Sequence, residues 1–277
     1  MIKKSFKNLN IRQIAISGQC FRINEIAEGT FEILAADKRL IAKEILPELK
    51  DSEPITYSFD CTAAEFDAFW AGYFDLKTDY GKIVASIDRA DLYLSKAASA
   101  CPGVRILRQD LWETMVTFLI SQQNNISRIK KSVEALCKKY GEKKYAQSGE
   151  EFYAFPTADA LALKDEDALM SEGLGYRSKY VIRLARAVAS GEFNLDGLND
   201  LTYEEARRKL LSVYGIGPKV ADCICLFALH HIEAFPIDTH VRQILAAHYA
   251  GGFPFDRYDG YAGILQQYMF YYDLHGE

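Results

Sequence analysis

No C-x-x-C pair and no group of four cysteines at iron-sulfur or zinc spacing occurs among the six cysteines of this chain (Cys20, Cys61, Cys101, Cys137, Cys223 and Cys225). Reduced thiols and no cofactor are expected. No stretch approaches the roughly 20 uncharged apolar residues that span a bilayer. The opening MIKKSFKNLNIRQIAIS has neither a long apolar core nor a small-residue cleavage site. A cytoplasmic location without a membrane partner is the expectation. Basic residues are not in excess either: 33 Lys and Arg face 38 Asp and Glu, a formal net charge of -5, which argues mildly against nucleic acid. Net charge is silent about distribution, because one basic face can coexist with an acidic remainder. With 277 residues and 49% hydrophobic content, the chain can fill one large core or two to three small ones, and it is too apolar to be disordered. There is no internal repeat or low-complexity linker.

What is present reads as strands first and helices afterwards. From Gly18 to about Asp60 come FRI, TFEILAA, RLIAKEI and ITYSF, broken at Glu28-Gly29, Asp37-Lys38 and Glu53-Pro54. Beyond them, helix starts carry capping patterns at Thr62 with Glu65, Asp110 with Glu113, and Thr202 with Glu205. ISRIKKSVEALCKKYG puts Ile126, Ile129, Val133, Leu136, Cys137 and Tyr140 on one stripe, keeps a basic opposite face and stops at Gly141. The reading is an α+β, mainly helical protein, with an N-terminal antiparallel β domain over residues 1-80 and a helical region over 81-277.

The most specific segment is LLSVYGIGPKVADCICLF, where one helix runs into Gly215-Ile216-Gly217 and another begins at Pro218. Proline suits a first helical position, and the free N-H groups there form an anion site that fits a backbone phosphate. Alone, G-x-G is an ordinary turn between core helices. Downstream lies PIDTH, with Asp238 nineteen residues after Lys219 (238 − 219 = 19). Together these resemble the helix-hairpin-helix DNA glycosylase superfamily with its Gly/Pro-Asp element. The resemblance implies that Lys219 attacks the sugar and Asp238 assists. Chemistry asks for those residue types: cleaving an N-glycosidic bond makes an oxocarbenium-like sugar, which a carboxylate stabilises and an amine captures at C1′. Only an amine can go on to a Schiff base and β-elimination of the 3′ phosphate. Lys219 could instead bind phosphate, and Asp238 could cap the helix of THVRQIL; Asp238 can do both.

The strings SGQCFR, KVADCICLF and YAGILQQYMFYYDL extend the resemblance over nearly the whole chain, to the 8-oxoguanine DNA glycosylase/AP lyase family. That family carries an antiparallel sheet before its helical part. Iron-sulfur members of the superfamily are excluded by the scattered cysteines, and the purely hydrolytic alkylpurine branch is disfavoured by the lysine. N7 of 8-oxoguanine bears a hydrogen where guanine has an acceptor, so discrimination needs one fixed acceptor; the resemblance assigns it to the carbonyl of Gly18. It likewise assigns Gln266 to the base edge, Phe270 and Cys223 to the two faces of the base, and Asp273 to the pocket or the helix end. Gln266 and Phe270 share a helix face at i, i+4, although a half-buried stripe would look the same, and Gly18 could be a turn glycine.

A flipped base leaves an orphan partner and a gap. SQQNNISR offers Gln123, Asn124, Asn125 and Arg128, and GLGYRSK offers Tyr176 and Arg177; by resemblance these fill the gap and select cytosine, or the arginines merely touch phosphate. Gln122 and Gln123 stand where the family usually shows asparagines, which leaves open the amide that enters the gap. Gly215, Gly217 and His240 are expected at phosphates. Carbonyls of Leu211, Val213 and Ile216 could hold a structural cation, with no catalytic metal. The expected partner is duplex DNA containing 8-oxoguanine opposite cytosine, bound by a monomer. Rival readings are a glycosylase for another oxidised base and a non-catalytic DNA-binding module.

Overall fold

The computed structural model describes residues 1–45, 54–146 and 148–276; the expected break at Glu53 lies outside them. Strands β1 (Ile2–Phe6), β2 (Ile23–Ala27), β3 (Thr30–Ala35), β4 (Lys38–Ile45) and β5 (Ile55–Phe59) form one sheet in the order β1-β5-β4-β3-β2. The helices used below are α1 (Ile11–Ile16), α2 (Leu92–Ala100), α3 (Leu111–Ser121), α4 (Ile126–Tyr140), α5 (Ser178–Ala189), α6 (Tyr203–Leu211), α7 (Pro218–Phe227), α8 (Thr239–His248) and α9 (Ala262–His275). Mainly helical α+β architecture is therefore observed as expected. β1 was not anticipated. Its partner is remote in sequence, Ile2 lying opposite Phe59 in an antiparallel register, and a five-residue segment with alternating half-buried positions carries little local signal.

The chain divides into two compact units, residues 1–32, 40–108 and 230–277 in the first, and 33–39 and 109–229 in the second. The first unit combines most of the sheet with α1, α2, α8 and α9. Phe59 at the end of β5 packs against Phe66 at 4.9 Å and Tyr57 at 6.0 Å between ring centroids, each such buried ring contributing about 1.5 to 3 kcal/mol. Arg105, 5% exposed, donates to the carbonyls of Asn8, Phe74, Asp75 and Thr78, so its charge is buried with its donors satisfied. α9 packs on α2 and α8 and is buried all round from Ala262 to Met269. A helix enclosed on every side has no polar face, and for that reason its two glutamines are buried rather than solvated.

In the second unit, Asn125 caps α4, whose stripe is buried at Ile129, Val133, Leu136 and Cys137. The Thr202–Glu205 capping box starts α6 as predicted, and so does Asp110, whose carboxylate accepts from the Glu113 N-H, at α3. α7 packs on α3 and α6 and buries every residue from Val220 to Phe227.

Candidate active site

Each unit brings part of the predicted set together. In the second unit, α6 and α7 form the hairpin. Gly215 has φ +94°, and a Cβ there would stand 2.6 Å from the ring of Tyr180, so both backbone and space demand glycine. Gly217 is different: it has ordinary extended backbone as the N-cap of α7, with nothing within 4 Å of an added Cβ. Neither strain nor packing requires glycine at that point, so its effect is to leave the helix N-terminus open. Pro218 follows at the first helical position. The next N-H groups, of Lys219 and Val220, have no preceding-turn carbonyl to donate to, which is the geometry of an anion site.

Lys219 leaves the first turn of α7 half-buried, with Nζ 5.2 Å from the centroid of Phe118. Phe118 in turn stacks on Phe227 at 5.6 Å, giving the amine a packed aromatic floor. Cys223, one turn further along, is 2% exposed. Asp222, which the sequence reading passed over, accepts from Tyr203 Oη at 2.9 Å and Arg207 Nε at 2.6 Å. This tie pins α6 to α7 and raises the proton affinity of Tyr203 through burial and then the adjacent Asp222 charge. The carbonyl of Val213 accepts the Ile216 N-H at 3.0 Å.

The amide run sorts itself by what each side chain already does. Gln122 Nε2 donates to the Gly215 carbonyl at 2.9 Å. Asn124 folds back on the Ile120 carbonyl at 3.2 Å, and Asn125 Oδ1 accepts from the Arg128 N-H as the cap of α4. Gln123 is exposed, with φ +46°, and meets Tyr176 Oη at 3.5 Å. Tyr176 is 45% exposed, and the Arg128 side chain is exposed on the first turn of α4. Arg177 departs from the expectation of a DNA-facing donor. It is 6% exposed and gives its guanidinium to the carbonyls of Gln122 at 2.7 Å, Gln123 at 2.9 Å and Leu174 at 3.3 Å. A buried guanidinium needs such acceptors, and here the backbone supplies them.

The first unit holds the remaining residues. Gly18 has φ +78°, and its neighbours fix the turn: Ser17 O accepts Gln267 Nε2 at 2.7 Å, and Gln19 Nε2 donates to Arg105 O at 2.8 Å. Thus the Gly18 turn is tied to α9 one residue from Gln266, a contact no local pattern announces. Gln266 is 4% exposed, and its Oε1 is buried without a hydrogen-bond partner. An orphan buried amide oxygen costs about 1 to 3 kcal/mol. Phe270, one turn on, meets the His240 ring edge-on at 5.9 Å. His240 Nδ1 lies 2.8 Å from Asp273 Oδ2, a contact that fixes the orientation of the ring. Asp273 therefore orients His240 rather than standing alone. Asp238 caps α8, Oδ1 accepting from the Val241 N-H at 2.9 Å, and its half-buried carboxylate keeps a second oxygen for other work.

The model for the 8-oxoguanine DNA glycosylase N-terminal domain matches residues 1–115, and that for the HhH-GPD superfamily of base excision DNA repair proteins matches 116–252. The N-glycosylase/DNA lyase of Saccharomyces cerevisiae is 38% identical over 158 residues, covering 53% of this chain and 42% of that protein. Across the curated relatives from yeast, Arabidopsis thaliana and Methanothermobacter thermautotrophicus, the match spans about half of their length, 42%, 54% and 60%. Among solved structures, MBOgg1 in complex with a low-affinity DNA ligand is 33% identical, with 99% of each chain covered and a TM-score of 0.88. The 8-oxoguanine glycosylase/lyase of Clostridium acetobutylicum, bound to duplex DNA containing cytosine opposite 8-oxoG, is 32% identical, covering 98% of this chain and 97% of that one at a TM-score of 0.87. With both family models matched in succession and near-complete coverage by relatives above 30% identity, the chain belongs to the 8-oxoguanine DNA glycosylase family of the HhH-GPD superfamily.

Proposed function

We propose that this protein is a bifunctional DNA glycosylase/AP lyase that removes 8-oxoguanine opposite cytosine from duplex DNA. The observation that carries the reading is the orphan amide oxygen of Gln266, buried beside Phe270 on α9. The Watson–Crick edge of guanine presents N-H donors that would complete it, and a ring one turn away can stack on the base. Lys219 Nζ would attack C1′ as the N-glycosidic bond breaks and the base leaves with the bonding pair. The Asp238 carboxylate would offset positive charge on the sugar. Loss of a proton from the C1′ amine then opens the ring to an imine, and removal of a C2′ proton expels the 3′ phosphate. The helix N-terminus at Gly217 would hold a backbone phosphate, with His240 Nε2 at another and the Gly18 carbonyl facing N7-H. Cys223 would line the base, and carbonyls of Leu211, Val213 and Ile216 would accept a cation. Among the amides, Gln123 and Asn125 are exposed, but Asn125 is engaged as the cap of α4, so Gln123 with Tyr176 would fill the gap. Free cysteines, buried where described, suit the reducing cytoplasm of a prokaryote, and among the described residues no helix is long and apolar enough to cross a membrane. We expect the protein to act as a monomer.

Borohydride trapping on duplexes bearing 8-oxoguanine, an oxidised pyrimidine or an abasic site tests the assignment: adducts are expected with the first and third. Gln266→Ala should slow 8-oxoguanine excision by roughly 10-fold or more, as expected when a site's base-reading hydrogen bond is lost, while cleavage of a preformed abasic site stays within about twofold. Equal losses in both activities would remove Gln266 from base reading.

Arg128 bears on the opposite base. Its exposed side chain has donors that suit the acceptors of cytosine, so Arg128→Ala should cost about 1 to 3 kcal/mol opposite cytosine and much less opposite adenine. Single-turnover rates against all four opposite bases check this. A uniform loss accompanied by a shallower salt dependence would instead make Arg128 a phosphate contact.

A further inference from the structure

Within the second unit, Gly215 is gripped from two sides. Its carbonyl accepts Gln122 Nε2 at 2.9 Å, while the Tyr180 ring occupies the space where a side chain would stand. Both grips lead back to the residues that face the flipped-base gap. Gln122's own carbonyl is held by Arg177 Nε at 2.7 Å, and the next carbonyl, that of Gln123, by Arg177 Nη2 at 2.9 Å. Tyr180 meets Tyr176 edge-on at 6.0 Å and Tyr214 at 5.4 Å, and the Arg177 guanidinium lies 4.7 Å from the Tyr176 ring. The contacts close a loop from Tyr176 and Arg177 through Gln122 to Gly215 and back through Tyr180. One side of that loop carries the exposed Gln123 and Tyr176; the other is the turn that leads, four residues on, into Lys219 (219 − 215 = 4).

We propose that Gln122 is a positioning residue that couples entry of Gln123 and Tyr176 into the DNA stack to the seating of the hairpin turn on its phosphate. Two hydrogen-bonded carbonyls and a packed ring make this connection stiff, since packed groups pass on displacements rather than absorb them. Moving residues 122 and 123 to enter the helix pulls on Gly215 through one amide. DNA that resists the wedge then holds the hairpin out of register. The proposal rests on the functional reading above only for the identity of the two faces.

A double-mutant cycle tests it, using Gln122→Met, Tyr176→Ala and the pair. The first readout is affinity for a duplex bearing a tetrahydrofuran abasic analogue opposite cytosine. Each single change is expected to weaken binding roughly fivefold, the scale of one lost hydrogen bond, and the double change no more than the weaker-binding single variant. Hydrogen exchange of the Ile216 amide should quicken in Gln122→Met while Tm moves by no more than about 2 to 4 °C. Gln122→Glu keeps the length but faces a carboxylate at the Gly215 carbonyl, and should reproduce the loss. Multiplicative losses, about 25-fold in the double variant, overturn the coupling. So does wild-type binding by either Gln122 variant. Because the analogue carries no base, a wild-type protein that failed to excise 8-oxoguanine would remove the lesion assignment and leave this result standing.

Discussion

Lys219→Gln is expected to abolish the borohydride-trapped adduct, lowering it by roughly 10³-fold or more, because glutamine is a polar side chain one bond shorter that has no nucleophilic nitrogen. Binding to lesion DNA should change little. The anion site at the start of α7 is built from backbone N-H groups behind Gly217, and these survive the substitution. What the variant also loses is the cation over the Phe118 ring at 5.2 Å, worth about 0.5 to 1 kcal/mol at a partly exposed site. Lys219→Arg separates the two effects, since it keeps a cation over the ring and still cannot form the Schiff base. Trapping, single-turnover excision and Tm on the three proteins give a complete comparison. Adduct at the wild-type level in Lys219→Gln would reject the assigned nucleophile.

Much of this site was legible because its chemistry is carried by residues with local grammar. The G-I-G-P-K turn announces itself by glycine and proline, and Asp238 by its place before a helical pattern; the structure finds the turn and the cap where they were read. The stripe on α4 was equally plain, because 3.6-residue periodicity survives wherever one face is buried. What could not be read were contacts that depend on the chain returning to itself. β1 pairs with β5 across more than fifty residues, and Gln267 reaches Ser17 O from the far end of the chain. α9 has no amphipathic stripe because it is enclosed, so Gln266 and Gln267 look alike in sequence while one is tied to backbone and the other lacks a partner for Oε1. Arg177 is a different case. A lysine- and arginine-bearing loop reads as a DNA contact, but burial converts this arginine into the strut that holds the Gln122 and Gln123 carbonyls. Charge in a sequence does not say whether its partner is a phosphate or the protein's own backbone.

Asp238 provides a test in which stability and chemistry can be separated by a single atom. Its Oδ1 caps α8 by accepting the Val241 N-H at 2.9 Å, and asparagine is as good an N-cap as aspartate. Asp238→Asn should therefore leave Tm unchanged while removing the negative charge that would face the oxocarbenium-like sugar. Excision is expected to fall by about 10² to 10³-fold, the scale of losing one preorganised electrostatic group, with lesion binding nearly unaffected. Asp238→Ala removes the cap as well, at a cost of about 1 kcal/mol, and should lower Tm by about 2 to 4 °C on top of the same catalytic loss. Single-turnover excision beside thermal unfolding on both variants reads the two roles independently. If Asp238→Asn excises at the wild-type rate while Asp238→Ala loses both stability and rate, the carboxylate is a helix cap and the charge opposite the sugar must come from elsewhere.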